Sequence, residues 1–180
     1  MPPDLEIDKA WMQKAIHIAK QSGDDIPVGA CLVSASGELL ASAHNQKEKS
    51  HDPTAHAEIL VIRQATAQNN NWRLSDTILY TTLEPCPMCA EAILQSRITK
   101  VVFGAYDPVS GALGSKFNLY TGARIYPAPQ TLGGILEDEC AALLKEFFAS
   151  VTHYQSKSRH PSGNGFCKLS FVAKIPTLVA

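Results

Sequence analysis

The stretch Ile78-Leu79-Tyr80-Thr81-Thr82-Leu83-Glu84-Pro85-Cys86-Pro87-Met88-Cys89, followed shortly by Lys100-Val101-Val102-Phe103-Gly104, decides the architecture of this chain. Ile78 to Thr82 is rich in β-branched and aromatic residues and reads as a strand. Pro85 ends it, Met88 to Gln95 reads as a helix, and Lys100 to Gly104 reads as a second strand. Two strands joined by a helix pair in parallel through a right-handed crossover.

Outward from this unit, helices and strands keep alternating. Asp8 to Gln21 carries Trp11, Ala15, Ile18 and Ala19 at helical spacing, with Asp8 as N-cap, Gly23 as the stop and His17 on the surface. Pro27 to Val33 and Glu38 to Ala43 flank the turn signal Ser36-Gly37 and read as a hairpin. Asn45 to Pro53 is a polar loop, and Thr54 opens a helix to about Gln68. Residues 105 to 124 read as an extended functional loop. A strand near Gln130 to Leu132 and a helix from Glu137 to Ala149 follow, the latter with Leu143, Leu144, Phe147 and Phe148 on its apolar side. The pattern is that of an α/β protein with one central sheet covered on both faces.

The same stretch carries chemistry. Cys86 and Cys89 stand three residues apart, so a helix starting here places both sulfurs on one face of its first turn. Pro85 and Pro87 suit such a start, and a helix N-terminus lowers a thiol pKa. His56 supplies a nitrogen from a separate element. Two thiolates and one imidazole leave the fourth tetrahedral position of zinc to water, which separates a catalytic site from a closed structural one. A structural site would need a fourth ligand, for which His44, His51 and Cys31 are the candidates. Glu58 is then a carboxylate free of metal duty. Residues two apart diverge by about 200° in a regular helix, so His56 and Glu58 reach one pocket together only at a helix start.

Composition is consistent with one globular domain: 180 residues, 45% hydrophobic, net charge −1. The acidic start Met-Pro-Pro-Asp-Leu-Glu lacks the features of a signal peptide, no apolar run approaches a membrane span, and a cytoplasmic location is expected. Beyond the two proposed metal ligands, Cys31, Cys140 and Cys167 read as thiols in a reducing compartment. All 17 acidic residues lie before residue 151, while Lys157, Arg159, Lys168 and Lys174 follow it without an acid, a mild pointer to a polyanionic partner. Periodicity is lost from residue 156, so residues 1–155 are read as the domain and 156–180 as a poorly ordered tail.

The His-x-Glu and Pro-Cys-x-x-Cys pieces together match the signature of zinc deaminases. From about Met12 to Phe148 the chain resembles the bacterial tRNA-specific adenosine deaminases of the cytidine-deaminase-like zinc superfamily. The likeness is carried by Pro27-Val28-Gly29-Ala30, His51-Asp52-Pro53-Thr54-Ala55-His56-Ala57-Glu58, Thr82-Leu83-Glu84-Pro85-Cys86, Ser96-Arg97-Ile98 and Val101-Val102-Phe103-Gly104-Ala105. It continues through Gly111-Ala112, Gly114-Ser115 and Gly133-Gly134-Ile135-Leu136 with Glu139-Cys140. The resemblance implies a three-layer α/β/α sandwich around a central mixed five-stranded sheet, one zinc per subunit and a homodimer. It implies hydrolytic conversion of adenosine to inosine at the wobble position of an arginine tRNA, with the anticodon stem-loop as substrate.

By the same resemblance, His56, Cys86 and Cys89 hold zinc and Glu58 shuttles protons. Asn45 hydrogen-bonds the purine, Val28 walls the pocket, and Asp107 lies near the ribose of the adjoining nucleotide. Glu91 and Val109 depart from the family pattern, which has a glycine and a basic residue there. Two other readings compete: a deaminase of guanine or another free nucleobase, and a non-catalytic zinc subunit that binds RNA or a partner.

Overall fold

A computed structural model describes residues 5–122 and 125–157. The tail expected over 156–180 lies outside the described residues from 158 onward. Helix α1 spans Leu5–Ala19, strand β1 Gly29–Ser34, β2 Leu39–His44, α2 Lys47–Ser50 and α3 Ala57–Asn69. β3 spans Thr77–Leu83, α4 Pro87–Gln95, β4 Lys100–Ala105, β5 Gln130–Leu132 and α5 Glu137–Lys157. The five strands form one sheet in the order β2-β1-β3-β4-β5. β1 runs antiparallel to both β2 and β3, whereas β3–β4 and β4–β5 are parallel, so the sheet is mixed.

Alternation along the strands divides the core into two layers. Cys31, Val33, Tyr80 and Val102 face α1 and α5, packing with Met12, Ala15, Ile16, Cys140 and Leu143. Ala30, Leu32, Leu79 and Val101 point the other way, onto Val61 and Ala65 of α3 and Ile93 of α4. Side chains of this size each contribute about 1.5–3 kcal/mol on full burial, so both sheet faces need their helices. Gly29 lets α1 come close: a Cβ there would stand 2.2 Å from the Ala15 carbonyl oxygen.

The parallel β3–α4–β4 unit read from the sequence is present. Three local expectations are corrected. Asp8 is not an N-cap but lies within α1, its carboxylate buried beneath the helix. There Oδ1 accepts from the Tyr80 hydroxyl at 2.8 Å and Oδ2 from Lys100 Nζ at 2.9 Å. A buried ion pair and hydroxyl across the sheet outweigh the local capping preference. The polar loop after Asn45 contains the single turn α2, capped by left-handed His51. The last helix continues past Ala149 to Lys157, since nothing in residues 150–157 breaks it.

Candidate metal centre and active site

Two helix starts converge at the C-terminal end of β3, and each supplies a metal-ligand side chain from its N-cap. Asp52 turns the chain by accepting from both the backbone N–H and the hydroxyl of Thr54 at 2.8 and 2.6 Å, which delays α3 to Ala57. His56 is therefore an extended N-cap (φ −75°, ψ 150°) rather than a residue of the first turn. This removes the angular conflict with Glu58, which sits one step inside the helix and is 3% exposed. In the same way Cys86 is the extended N-cap of α4, Pro87 opens the helix, and Cys89 lies in its first turn, fully buried.

His56 Nδ1 lies 3.8 Å from Cys86 Sγ and 3.5 Å from Cys89 Sγ. Bonds of about 2.3 Å to sulfur and about 2.0–2.1 Å to nitrogen, at tetrahedral angles, put such donors about 3.6 Å apart. Both His–Cys separations match that spacing, and all three donor atoms lie within 4.8 Å of one another. Among the described residues, no other His, Cys, Asp or Glu joins this group. The candidates for a fourth ligand lie elsewhere: Cys31 is buried on the opposite sheet face, and His44 is bonded through Nδ1 to the Asn45 carbonyl at 2.9 Å. His51 caps α2 and stays exposed. None of the three candidates joins the trio, so the described residues do not form a closed four-ligand site.

The hydrogen bond from Cys89 pushes the Cys86 thiol down to about 4, helped by His56. Cys89, as donor in that bond and deeply buried, is pushed up. His56 is raised by its contact with Cys86, against the effect of burial. Burial raises Glu58, making its carboxyl readier to hold a proton than one on the surface. Cys31 and Cys140, in the other layer, are both pushed up to about 12 by burial.

The expected substrate residues are placed as follows. Asn45 is buried, and its Oδ1 accepts from the Ala57 N–H at 2.9 Å, tying it to the start of α3 beside His56. That bond commits the amide oxygen and turns the NH2 group away as a donor. Val28 is buried in the α3–α4 layer with Ala57, and its carbonyl accepts from the Asn45 N–H at 3.0 Å. Asp107 is buried too, but its carboxylate is taken up by its own turn, accepting from the Val109 and Ser110 N–H groups at 2.9 and 3.0 Å. Tyr120 donates to the Ala90 carbonyl at 2.9 Å and so packs its loop on α4, and Phe148 meets Phe147 edge to face. Glu91 accepts from Gln95 on the surface of α4, and Val109 is exposed.

Sequence reasoning gave Glu84 no role beyond membership of a block. In the structure it is 2% exposed and accepts three backbone N–H groups of the loop after β4, from Asp107, Leu113 and Ser115. The available signal was a charged residue just after a buried strand and directly before Pro85-Cys86.

Residues 5–105 match the family described as the cytidine and deoxycytidylate deaminase zinc-binding region. The tRNA-specific adenosine deaminase of Bacillus subtilis is 42% identical over 154 residues, covering 84% of this chain and 95% of that protein. A solved structure from work on A-to-I editing by tRNA:A34 deaminases at the wobble position superposes with a TM-score of 0.72 at 39% identity, over 75% of this chain and 99% of that one. A guanine deaminase from Nitrosomonas europaea aligns with a TM-score of 0.64 at 25% identity, over 82% of this chain and 93% of that one. With its three metal donors at tetrahedral spacing and a carboxylate beside them, the chain belongs to the cytidine and deoxycytidylate deaminase zinc-binding family, on its tRNA-specific adenosine deaminase branch.

Proposed function

We propose that this protein hydrolyses the exocyclic amine of adenosine at the wobble position (34) of a tRNA anticodon, giving inosine and ammonia. The observation that carries this reading is the His56, Cys86 and Cys89 trio at tetrahedral spacing with Glu58 buried beside it. His56, Cys86 and Cys89 would hold zinc, which would supply a nucleophile at neutral pH by lowering the pKa of water from about 15.7 to about 7.

The chain's own residues do the rest. Glu58 takes the proton from the attacking water and delivers it to the ring nitrogen N1. It then takes the proton of the hydroxyl added at C6 and passes it to the amine, which leaves as ammonia while the C6 oxygen becomes the carbonyl of inosine. Asn45, its oxygen held by Ala57, offers its NH2 group to a purine acceptor. Val28 closes one wall with apolar surface, and Asp107 lies towards the ribose of the adjoining nucleotide. The base reaches the trio only when splayed out of its stack, which a single-stranded anticodon loop permits at low cost.

The family resemblance supports one zinc per subunit, an arginine tRNA as natural substrate, a homodimer as working form and a cytoplasmic location. Among the described residues, no helix is long and apolar enough to cross a membrane. Residues 1–155 form the deaminase domain in this reading, with 156–180 a basic tail that meets the polyanion. A zinc scaffold without activity would have no use for a buried acid beside the open corner. An adenosine-wobble stem-loop, free guanine and cytidine are offered in parallel. Inosine from the stem-loop supports the proposal, whereas xanthine from guanine without inosine refutes it.

A further inference from the structure

We infer that Glu84 is the positioning residue that sets the substrate loop against the metal centre, an inference that rests on the proposed function. Glu84 directly follows β3, two residues before the ligand Cys86, and is among the largest fully buried side chains. No basic side chain forms an ion pair with it among the described residues. Instead Oε2 accepts from the Asp107 N–H at 3.1 Å, and Oε1 accepts from the N–H groups of Leu113 and Ser115 at 2.9 and 3.1 Å. One carboxylate therefore gathers three points of a loop that is not a helix or a named strand, tying them to the end of β3 beyond the loop's own Leu113–Asn118 bridge.

Neighbouring backbone bonds fasten the same loop to the same strand end. The Glu84 N–H donates to the Ala105 carbonyl at 2.9 Å, and the Ala112 N–H donates to the Pro85 carbonyl at 2.9 Å. Gly111 fits only because it has no side chain: a Cβ there would stand 2.4 Å from Glu84 Oε2 and 2.5 Å from the Asp107 carbonyl oxygen. A residue needed merely to fill this space would be apolar, since burying a carboxyl is costly unless its hydrogen bonds are met. The held loop also displays Tyr106, Val109 and Phe117 as exposed apolar side chains, a surface on which unstacked nucleotides pack. Glu84 thereby governs how the nucleotides around the target base are received, while the metal trio is held by its own helices.

The test is Glu84→Gln in the full chain. Glutamine keeps the size, but its NH2 end cannot accept, so either the Asp107 N–H or the pair from Leu113 and Ser115 loses its partner. Expected results are zinc retained at one per chain and amide hydrogen exchange faster at 107, 113 and 115. KM for the adenosine-wobble stem-loop should rise about tenfold or more, while kcat stays within about threefold. Gly111→Ala, which crowds the carboxylate without changing charge, should raise KM in the same way and decides the matter if Glu84→Gln does not fold. Loss of zinc, unchanged KM in both variants, or a fall in kcat alone would overturn the inference. A wild-type protein that leaves the stem-loop untouched would instead overturn the proposed function, while amide exchange still reports whether Glu84 holds the loop.

Discussion

Glu58→Gln takes away one proton-carrying oxygen and leaves the surroundings almost intact. Glu58 is 3% exposed in the first turn of α3, so a glutamine occupies the same space on a helix already begun by Asn45 and the Asp52 turn. Loss of a negative charge near a helix N-terminus costs about 0.3–1 kcal/mol, and the easier burial of an amide offsets this. The fold and the three metal donors should therefore persist. A positioned general acid-base contributes about 100- to 10,000-fold, or roughly 3–5 kcal/mol. Because the proposed mechanism passes two protons in turn through this carboxyl, one to N1 and one to the leaving amine, the loss should lie at the upper end, about 10⁴-fold in kcat. Single-turnover reactions on the stem-loop, digested to nucleosides and read for inosine by mass spectrometry, measure it. A Glu58→Gln protein with stoichiometric zinc and a rate within about tenfold of wild type would remove Glu58 from the mechanism.

Cys89→Ala should lower bound zinc from one equivalent to a trace, measured by elemental analysis after dialysis; one equivalent retained would mean the donors are misassigned. Asp8→Ala strands the Lys100 ammonium and the Tyr80 hydroxyl beneath α1. It should destabilise the protein by about 3–5 kcal/mol in urea titrations, and a loss below about 1 kcal/mol would show the pair to be dispensable. With their thiols pushed up to about 12, Cys31 and Cys140 are about one part in ten thousand thiolate at pH 8. Iodoacetamide should leave both unmodified in the folded protein, and labelling should rise with pH only on approach to their pKa or on unfolding. Peptide mass spectrometry reads this directly.

The metal pieces were legible because zinc chemistry demands particular side chains, and Cys86, Cys89 and His56 carry that demand in their identity. The parallel unit was legible for a similar reason, since strand β3 passes through Pro85 into α4 with no room for a hairpin. Asp8 was misread because capping rules look only a few residues ahead, whereas its partners Tyr80 and Lys100 lie on the far side of the chain. His56 was placed inside a helix because the Thr54 signal is real but is spent on an Asp52 turn. Glu84 escaped notice because its three partners lie 23 to 31 residues downstream and are backbone groups, which no residue type announces.

His56 and Cys86 both occupy the N-caps of helices whose positive ends point into the same small volume. That background potential repels cations, so retention of the ion depends on the negative sulfurs overcoming it. Hard ions such as magnesium, which gain little from thiolate, should be turned away while softer zinc is kept. The same potential welcomes hydroxide, so the scaffold favours the attacking species through its peptide dipoles as well as through its metal.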